Sequence, residues 1–387
     1  MIDKYDYIIT GAGCAGLSLL RSMMQHAFFN NKKILLLDKK EKINNDRTWC
    51  FWEQQHGIFE DIVYHRWNQI DFYSNDFSAR FDLQPYTYKM IRGIDLYSTV
   101  LHEAKQHANI DVISADVESV SNNENYAIAK TNEKEFYADY IFNSIFFTDW
   151  KQEALKQKNM YILLQHFKGL LIETDEAVFD ERIATFMDFR VAQNKGTAFA
   201  YVLPIANNQA LVEYTLFSEK ILEQHEYDEA LENYIESFLN IKKYSVMHTE
   251  FGVIPMTNYN FSKGEGKIIN IGTAAGQTKG SSGYTFQFIQ KHTDKIINAL
   301  VNEKNPLLMQ SIYEKRFHLY DSILLNVLYH KKMNGDKLFA QLFKKNSPQT
   351  ILKFLDNETS FTEELKIMNS VSLSKFLPAA LKEIFRW

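Results

Sequence analysis

The amino-acid sequence predicts an α/β protein: a Rossmann-type domain is interleaved with a mixed β-sheet domain and followed by a helical C-terminal region. The first indication is a short β-rich run, Tyr5–Thr10, that leads directly into a cluster of glycines. The second is a change of pattern at about residues 165–250, where strands of mixed polarity surround one helix near residues 227–239. The third is a return to glycine-rich sequence at residues 268–283, followed by a helix.

Length and composition set the outer limits of these domains. A chain of 387 residues is long for one compact core, so two intertwined domains are expected. We expect residues 1–160 and 251–300 to form the Rossmann-type domain, 161–250 the substrate-binding domain, and 301–387 the helical region. The formal net charge of -5, without a dense basic stripe, argues against a nucleic-acid partner.

Aromatic residues are the unusual part of the composition. The chain has 29 Phe, 21 Tyr and 5 Trp, which fit either an aromatic core or the lining of a long apolar cavity. The two cysteines, Cys14 and Cys50, form neither a metal-ligand pattern nor a disulfide framework, so a cytoplasmic location is expected. We find no signal-peptide pattern at the N-terminus and no apolar run of roughly 18 to 20 residues.

The glycine cluster Gly11-Ala-Gly-Cys-Ala-Gly16 lies in a βαβ context. A helix is predicted for residues 17–28 and a buried strand for residues 33–37, which ends at Asp38. In this order the glycines permit a tight turn and close approach to a pyrophosphate, and an acid about 20 residues on can bind a ribose. The sequence therefore predicts a dinucleotide site made by Gly11, Ala12, Gly13, Cys14, Gly16 and Asp38.

Two further segments contain acids among apolar residues: Met187-Asp-Phe-Arg190 and Leu211-Val-Glu-Tyr-Thr215. Glu213 is a candidate acid for an apolar cavity, although a strand residue at this position could also face solvent. Asp188 is a second candidate, although it could instead pair with Arg190 or cap a strand.

Together these residues resemble the lycopene cyclase family of carotenoid-forming flavoproteins, over essentially the whole chain. The segment Leu-Val-Glu-x-Thr behind a Leu-Pro strand is more specific than the glycine cluster, which many flavoproteins share. The other segments that carry the resemblance are Asp46-Arg-Thr-Trp49, Met187-Asp-Phe-Arg190, Tyr201-Val-Leu-Pro204, Gly252-Val-Ile-Pro-Met256, Gly272-Thr-Ala-Ala-Gly276, Ser282-Gly-Tyr284, Glu364-Leu-Lys-Ile367 and Phe376-Leu-Pro-Ala-Ala-Leu381.

The resemblance implies a redox-neutral, acid-catalysed cyclisation of the ψ-end groups of lycopene to β-ionone rings, giving γ-carotene and β-carotene. It implies reduced FAD, with NAD(P)H as electron donor, and adds Gly272, Gly276 and Gly283 to the cofactor site. It also implies that Glu213 and Asp188 are the catalytic acids. Since lycopene dissolves in the bilayer, a peripheral contact with the membrane surface is expected. Residues 373–387 could form it, or could be a terminal helix docked on the core.

The sequence departs from the family pattern at three places. Tyr214 stands where many members have a second acid, Lys279-Gly280 replaces His-Pro, and the strand ending near Asn143-Ser144 lacks a glycine. Three alternatives stay open: a flavin-dependent isoprenoid reductase, a hydroxylase on the same fold, and a non-catalytic carotenoid-binding protein. A hydroxylase would usually have Gly-Asp where this chain has Gly272-Thr273, and a reductase would consume NAD(P)H stoichiometrically.

Overall fold

The structure is a computed structural model that describes residues 4–385. Within these residues the chain forms three β-sheets and ten α-helices. The predicted α/β class is confirmed. Of the predicted terminal segment 373–387, Arg386 and Trp387 lie outside the described residues.

The strands differ in length from two to thirteen residues. They are β1 (Lys4–Thr10), β2 (Ile34–Asp38), β3 (Thr48–Glu53), β4 (His65–Trp67), β5 (Gln69–Tyr73), β6 (Ser78–Asp82), β7 (Thr87–Arg92), β8 (Ile110–Ser114), β9 (Val117–Asn122), β10 (Ala127–Thr131), β11 (Glu135–Asn143), β12 (Ile162–Glu173), β13 (Ile183–Asp188), β14 (Thr197–Ala206), β15 (Gln209–Ser218), β16 (Ser245–Thr257), β17 (Gly264–Glu265) and β18 (Ile268–Asn270).

The α-helices are concentrated in the C-terminal third of the chain. They are α1 (Cys14–Met24), α2 (Gly93–Ala104), α3 (Trp150–Leu155), α4 (Gln224–Ser237), α5 (Phe286–Val301), α6 (Ile312–Tyr329), α7 (Gly335–Lys345), α8 (Pro348–Leu355), α9 (Phe361–Ser370) and α10 (Leu373–Ile384).

The eight-stranded sheet is the Rossmann-type part of the fold. Its parallel strands have the order β18-β11-β1-β2-β8, and β17, β9 and β10 add antiparallel pairs at its margins. Strand β1 lies between β2 and β11, and the chain continues from β1 to β2. Because the strands on the two sides of β1 belong to different parts of the chain, the carboxyl end of β1 is a topological switch point. Ligands of open α/β sheets bind at such points.

Helix α1 begins earlier than predicted, at Cys14 instead of residue 17, and ends at Met24 instead of residue 28. Gly13 is its N-cap, so the second half of the glycine cluster is itself helical. Leu17, Leu19 and Leu20 are completely buried where α1 packs between α2 and α5.

The seven-stranded sheet has the order β16-β12-β15-β14-β13-β5-β6 and is antiparallel except where β13 pairs with β5. Residues 1–160 therefore contribute strands to this sheet as well as to the Rossmann-type sheet. Helix α4 covers one face, where its Tyr227 and Leu231 are completely buried against side chains such as Val212 and Leu216. The opposite face packs against an aromatic core that also includes α7 and α8.

The structure explains the unusual pair Lys279-Gly280. The completely buried ammonium of Lys279 lies 2.8 Å from Asp321 Oδ1 and donates to Asn357 Oδ1 at 2.7 Å. Ser281 donates to the same Asp321 oxygen at 2.6 Å. A Cβ on Gly280 would come within 2.5 Å of the Thr257 carbonyl oxygen, so only glycine fits there. Lys279 thus ties the glycine-rich segment to α6.

We predict that Lys279→Met lowers the free energy of unfolding by about 3 to 5 kcal/mol, because it leaves the Asp321 charge buried without its partner. Urea unfolding measures the change. Lys295→Met is the matched control: its exposed pair with Glu314 contributes about 1 kcal/mol or less. Equal effects of the two substitutions would contradict the prediction.

Candidate active site

A cavity of about 560 Å³ lies between the Rossmann-type sheet and the seven-stranded sheet. One end is formed by the glycine cluster and by the return segment around Gly272 and Gly283. The other end is formed by side chains of the seven-stranded sheet, among them Glu213 and Glu250. Residues that are far apart in the sequence thus line one cavity.

The glycine cluster leaves the start of α1 open to this cavity. A Cβ built on Gly13 would meet no atom within 4 Å, although Gly13 lines the cavity together with Cys14. Gly16 serves packing instead, since a Cβ there would be 2.0 Å from the Gly11 carbonyl oxygen. The free amides and partial positive charge of a helix N-terminus favour a phosphate group in such a space.

Asp38 holds the glycine cluster in place from the end of β2. Its Oδ2 accepts from the Ala12 amide at 2.6 Å, and its Oδ1 accepts from the Lys40 amide at 2.9 Å. Lys42 Nζ lies 3.5 Å from Oδ2. Asp38 does not line the cavity, whereas Lys42 does. A ribose contact by Asp38 therefore remains a prediction.

The return segment brings two of its three predicted glycines to the cavity. Gly272 (φ +62°) and Gly283 (φ +74°) both line it, and both have the left-handed backbone that favours glycine. Gly276 also has positive φ, but it lines a second cavity on the other side of the segment.

Two buried polar atoms in the cavity wall have no hydrogen-bond partner within residues 4–385: Gln165 Oε1 and Ser282 Oγ. A buried polar group without a partner costs about 1 to 3 kcal/mol, so these atoms indicate a polar ligand. Together with the space at Gly13 and the open start of α1, they fit a cofactor with a pyrophosphate and a polar ring, as FAD has.

The opposite end of the cavity holds Glu213, whose side chain projects from β15. Glu213 pairs in register with Tyr201 on β14, and its Oε1 accepts from Thr215 Oγ1 at 2.5 Å. The residue is only 9% exposed. Burial, and to a lesser extent the nearby Glu250, raise the pKa of Glu213 to about 8. Glu213 is thus buried in the cavity, in surroundings that favour its protonated form.

Glu250 is a second cavity carboxyl, which the sequence reasoning missed. It lies on β16, accepts from Thr48 Oγ1 at 2.7 Å through its Oε2, and is 5% exposed. Burial raises the pKa of Glu250 as well. The signal that could have revealed it is its place two residues before Gly252-Val-Ile-Pro-Met256, one of the segments that carry the family resemblance.

Aromatic rings form much of the wall near the carboxyls. The hydroxyls of Tyr201 and Tyr284 lie 3.4 Å apart, and Tyr88 and Trp49 line the same volume. Other aromatic residues, such as Trp52 and Phe186, are packed behind this wall. The aromatic content therefore serves both the core and a cavity.

Asp188 lies on the opposite face of the sheet from Glu213. It is completely buried, and its Oδ2 accepts from Arg190 Nη2 at 2.5 Å and from the Tyr234 hydroxyl at 2.9 Å. Tyr234 belongs to α4, which covers the face away from the cavity. The structure does not bring the two predicted acids together, and Asp188 is not among the residues that line the cavity. These contacts correspond to the alternative interpretation of the sequence, in which Asp188 pairs with Arg190.

Comparison with solved structures defines the class of fold. The chain is similar to a geranylgeranyl bacteriochlorophyll reductase-like protein from Thermoplasma acidophilum (TM-score 0.62, 13% identity, 100% of both chains). It is also similar to a flavoprotein/dehydrogenase from Cytophaga hutchinsonii (TM-score 0.63, 12% identity, 99% of this chain and 100% of the other). A third similar structure is a variant of Klebsiella pneumoniae HpxO complexed with FAD (TM-score 0.64, 11% identity, 92% and 98% of the two chains). The fold is therefore the Rossmann-type fold of FAD-binding flavoproteins, as predicted.

A family profile, described as lycopene cyclase protein, matches residues 6–381. The chain belongs to this family, and the resemblance predicted from the sequence is confirmed. No curated protein sequence gives a significant match. Within residues 4–385, no helix is both long and apolar enough to cross a membrane.

The raised pKa of Glu213 predicts a specific dependence of stability on pH. Between about pH 4.5, the ordinary value for Glu, and pH 8, the unfolded chain ionises this group while the folded protein keeps its proton. The free energy of unfolding should therefore fall as pH rises through this window, by up to about 1.4 kcal/mol per pH unit. Glu213→Gln should remove this contribution. Urea unfolding at pH 5.5 and pH 7.5 measures the free energy of unfolding of the wild type and of Glu213→Gln. Identical pH dependence in the two proteins would contradict the prediction.

Proposed function

We propose that this protein is a lycopene beta-cyclase that closes the ψ-end groups of lycopene to β-ionone rings without net oxidation or reduction. The observation that carries the proposal is the Glu213 carboxyl, buried in an aromatic-walled cavity that extends to the glycine cluster. Membership of the lycopene cyclase protein family supports the carotenoid as substrate class.

The chemistry requires an acid that keeps its proton at neutral pH. An alkene is a very weak base, so only a protonated carboxyl held next to the double bond in a dry site can transfer a proton to it. Glu213 fulfils this requirement through its burial. Thr215 holds the carboxyl on one oxygen, which leaves the other oxygen to carry the proton toward the cavity.

The carbocation formed by protonation needs a π-rich or negative environment without water. Tyr201, Tyr284 and Tyr88 surround the Glu213 end of the cavity with aromatic rings, and burial raises the pKa of each phenol, so all three stay neutral. Cations are attracted to the faces of such rings. Leu203 and Leu211 complete an apolar wall suited to a hydrocarbon chain.

Residues at the other end of the cavity would hold FAD. The amides that begin α1 at Gly13 and Cys14 would bind the pyrophosphate, and Gln165 and Ser282 would gain polar partners. Reduced FAD would supply a negative, π-rich surface at the cationic centre, with NAD(P)H as the electron donor. Asp188, which lies outside the cavity, is proposed to stabilise β13 and α4 through Arg190 and Tyr234.

Delivery of an apolar substrate favours contact with a bilayer surface, and α10 has a suitable face. Leu373, Leu377 and Leu381 follow at intervals of four residues and are 47–57% exposed. The helix is nevertheless docked on the core, since buried Glu383 accepts from Tyr161 and Asn326 at 2.7 Å. Both uses predicted for this segment are therefore compatible: a docked helix with an apolar outer face.

We predict that Leu377→Glu/Leu381→Glu lowers co-sedimentation of the protein with phosphatidylglycerol-containing vesicles several-fold while the flavin content stays unchanged. The matched control is Val178→Glu/Ile221→Glu, which adds the same two charges at exposed apolar positions outside α10. Undiminished vesicle binding of the double variant would show that another surface meets the bilayer.

Gly13→Leu should abolish FAD retention without unfolding the protein. Its backbone has φ -85°, which any residue adopts, and its Cβ would point into open cavity space where the pyrophosphate is proposed to lie. The absorption spectrum of the purified variant measures bound flavin, and circular dichroism checks the fold. A folded variant that stays yellow would overturn this placement of the cofactor.

Expression in lycopene-accumulating bacteria tests the proposed function directly. The wild type should convert lycopene to γ-carotene and β-carotene, and Glu213→Gln should reduce conversion about 10²- to 10⁴-fold or more, because it removes the acid but keeps the size. Asp188→Asn should cost less activity. Near-normal ring formation by Glu213→Gln would exclude Glu213 as the acid.

A flavin-dependent isoprenoid reductase is the second candidate, favoured by the similarity to the reductase-like protein from Thermoplasma acidophilum. Anaerobic turnover with purified protein separates the two reactions. A cyclase consumes no NAD(P)H per product once the flavin is reduced, whereas a reductase consumes one NAD(P)H for each double bond that it saturates.

A further inference from the structure

Glu213 and Glu250 stand in one row across the seven-stranded sheet. Gly169 on β12 pairs in register with Glu213 on β15 and also with Glu250 on β16. Residues directly opposite each other on antiparallel strands project to the same face, so both glutamates point into the cavity. Their strands are two spacings apart, roughly 10 Å, with only a glycine between them.

Gly169 leaves room on this face of the sheet for the Glu250 side chain. A Cβ on Gly169 would be 3.0 Å from Glu250 Cγ, 3.1 Å from Leu211 Cδ1 and 3.4 Å from Glu250 Oε1. The Glu250 side chain therefore leans over the position that any other residue would fill, toward the Glu213 strand. The pKa of Glu213 is raised partly by this neighbour.

We propose that Glu250 is the second acid–base group of the site: its negative charge helps to keep the proton on Glu213, and its carboxylate accepts the proton that the ring-closed cation releases. The electrostatic coupling follows from the placement of both carboxyls on one face of the sheet, in one cavity. The acceptor role rests on the proposed function.

The surroundings of the two carboxyls decide which one holds the proton. Burial raises the pKa of Glu250, and Asp46 adds to this effect. The hydrogen bond from Thr48 and the nearby Arg47 act in the opposite sense and favour the charged form of Glu250. The groups that face Glu213 are Thr215, the Cys50 thiol and the Tyr201 phenol. Burial raises the pKa of Cys50 and of Tyr201, so both stay neutral. Among the described residues, Glu213 has no cation beside it comparable to Arg47.

The step balances without a further reagent. The O–H bond of Glu213 breaks as a C–H bond forms at the terminal double bond, and the neighbouring double bond then closes the ring through a new C–C bond. The adjacent C–H bond breaks, its electron pair becomes the ring double bond, and its proton passes to Glu250. Return of that proton from Glu250 to Glu213 restores the pair.

Infrared difference titration of the flavin-loaded protein tests the coupling of the two carboxyls, because a protonated carboxyl has its own C=O band. The wild type should show a buried carboxyl that titrates at about pH 8. Glu213→Gln should lose this titration, and Glu250→Gln should move it to lower pH since the neighbouring charge is gone. Gly169→Ala, whose methyl group would displace Glu250, should shift it in the same direction. An unchanged titration in Glu250→Gln would overturn the proposal.

The matched control is Glu364→Gln, which changes a completely buried carboxyl on α9 that is bound by Arg316 and Tyr320. It should leave the Glu213 titration in place. A shift equal to that of Glu250→Gln would mean that the titration reports general destabilisation, which would also overturn the proposal.

Cyclisation by the same variants tests the acceptor role. Glu250→Gln should lower kcat about 10²- to 10⁴-fold and move the alkaline limb of the pH profile to lower pH. Wild-type turnover in this variant would exclude Glu250 as the acceptor. If the wild type does not cyclise lycopene, the proposed function and the acceptor role fail together, while the infrared titration still decides whether the two carboxyls are coupled.

Discussion

Burial of two carboxyl groups in one cavity is the constraint on which the rest of the site depends. Each group loses the solvation of its charged form, and the charge of Glu250 also raises the pKa of Glu213. The cavity therefore favours the protonated form of Glu213, as donation of a proton to an alkene would require. The same burial lowers the free energy of unfolding as pH rises, so interactions outside the cavity have to stabilise the fold.

That stabilisation comes from charged groups that are paired outside the cavity. Lys279 with Asp321 joins the glycine-rich segment to α6, Asp188 with Arg190 and Tyr234 joins β13 to α4, and Glu364 with Arg316 joins α9 to α6. Their charges are matched within hydrogen-bonding distance, in contrast to the carboxyls of Glu213 and Glu250. The fold thus separates charged groups that stabilise it from charged groups that are available for chemistry.

The seven-stranded sheet makes this separation possible because successive side chains alternate between its faces. Along β15, Val212 and Tyr214 pack under α4, while Leu211 and Glu213 face the cavity. One face is thereby covered by α4, and the other is shared by the aromatic core and the cavity. The glycine at position 169 belongs to the second face, where the lack of a side chain leaves room for Glu250 in the same row as Glu213.

The sequence alone determined the features that depend on the spacing of residues close together in the chain. The strand, the glycine cluster and the helix around Gly13 follow from residue spacing, and the family follows from segments spread along residues 6–381. Glu213 was also identifiable as a candidate acid, because it lies in such a segment. Only the tertiary structure decided which acids share the cavity. Asp188 and Glu213 look alike in sequence, but strand alternation places them on opposite faces, whereas Glu250 and Glu213 lie in one row because both strands pair with β12. Register between strands distant in sequence depends on packing of the whole sheet, which no local pattern of residues contains.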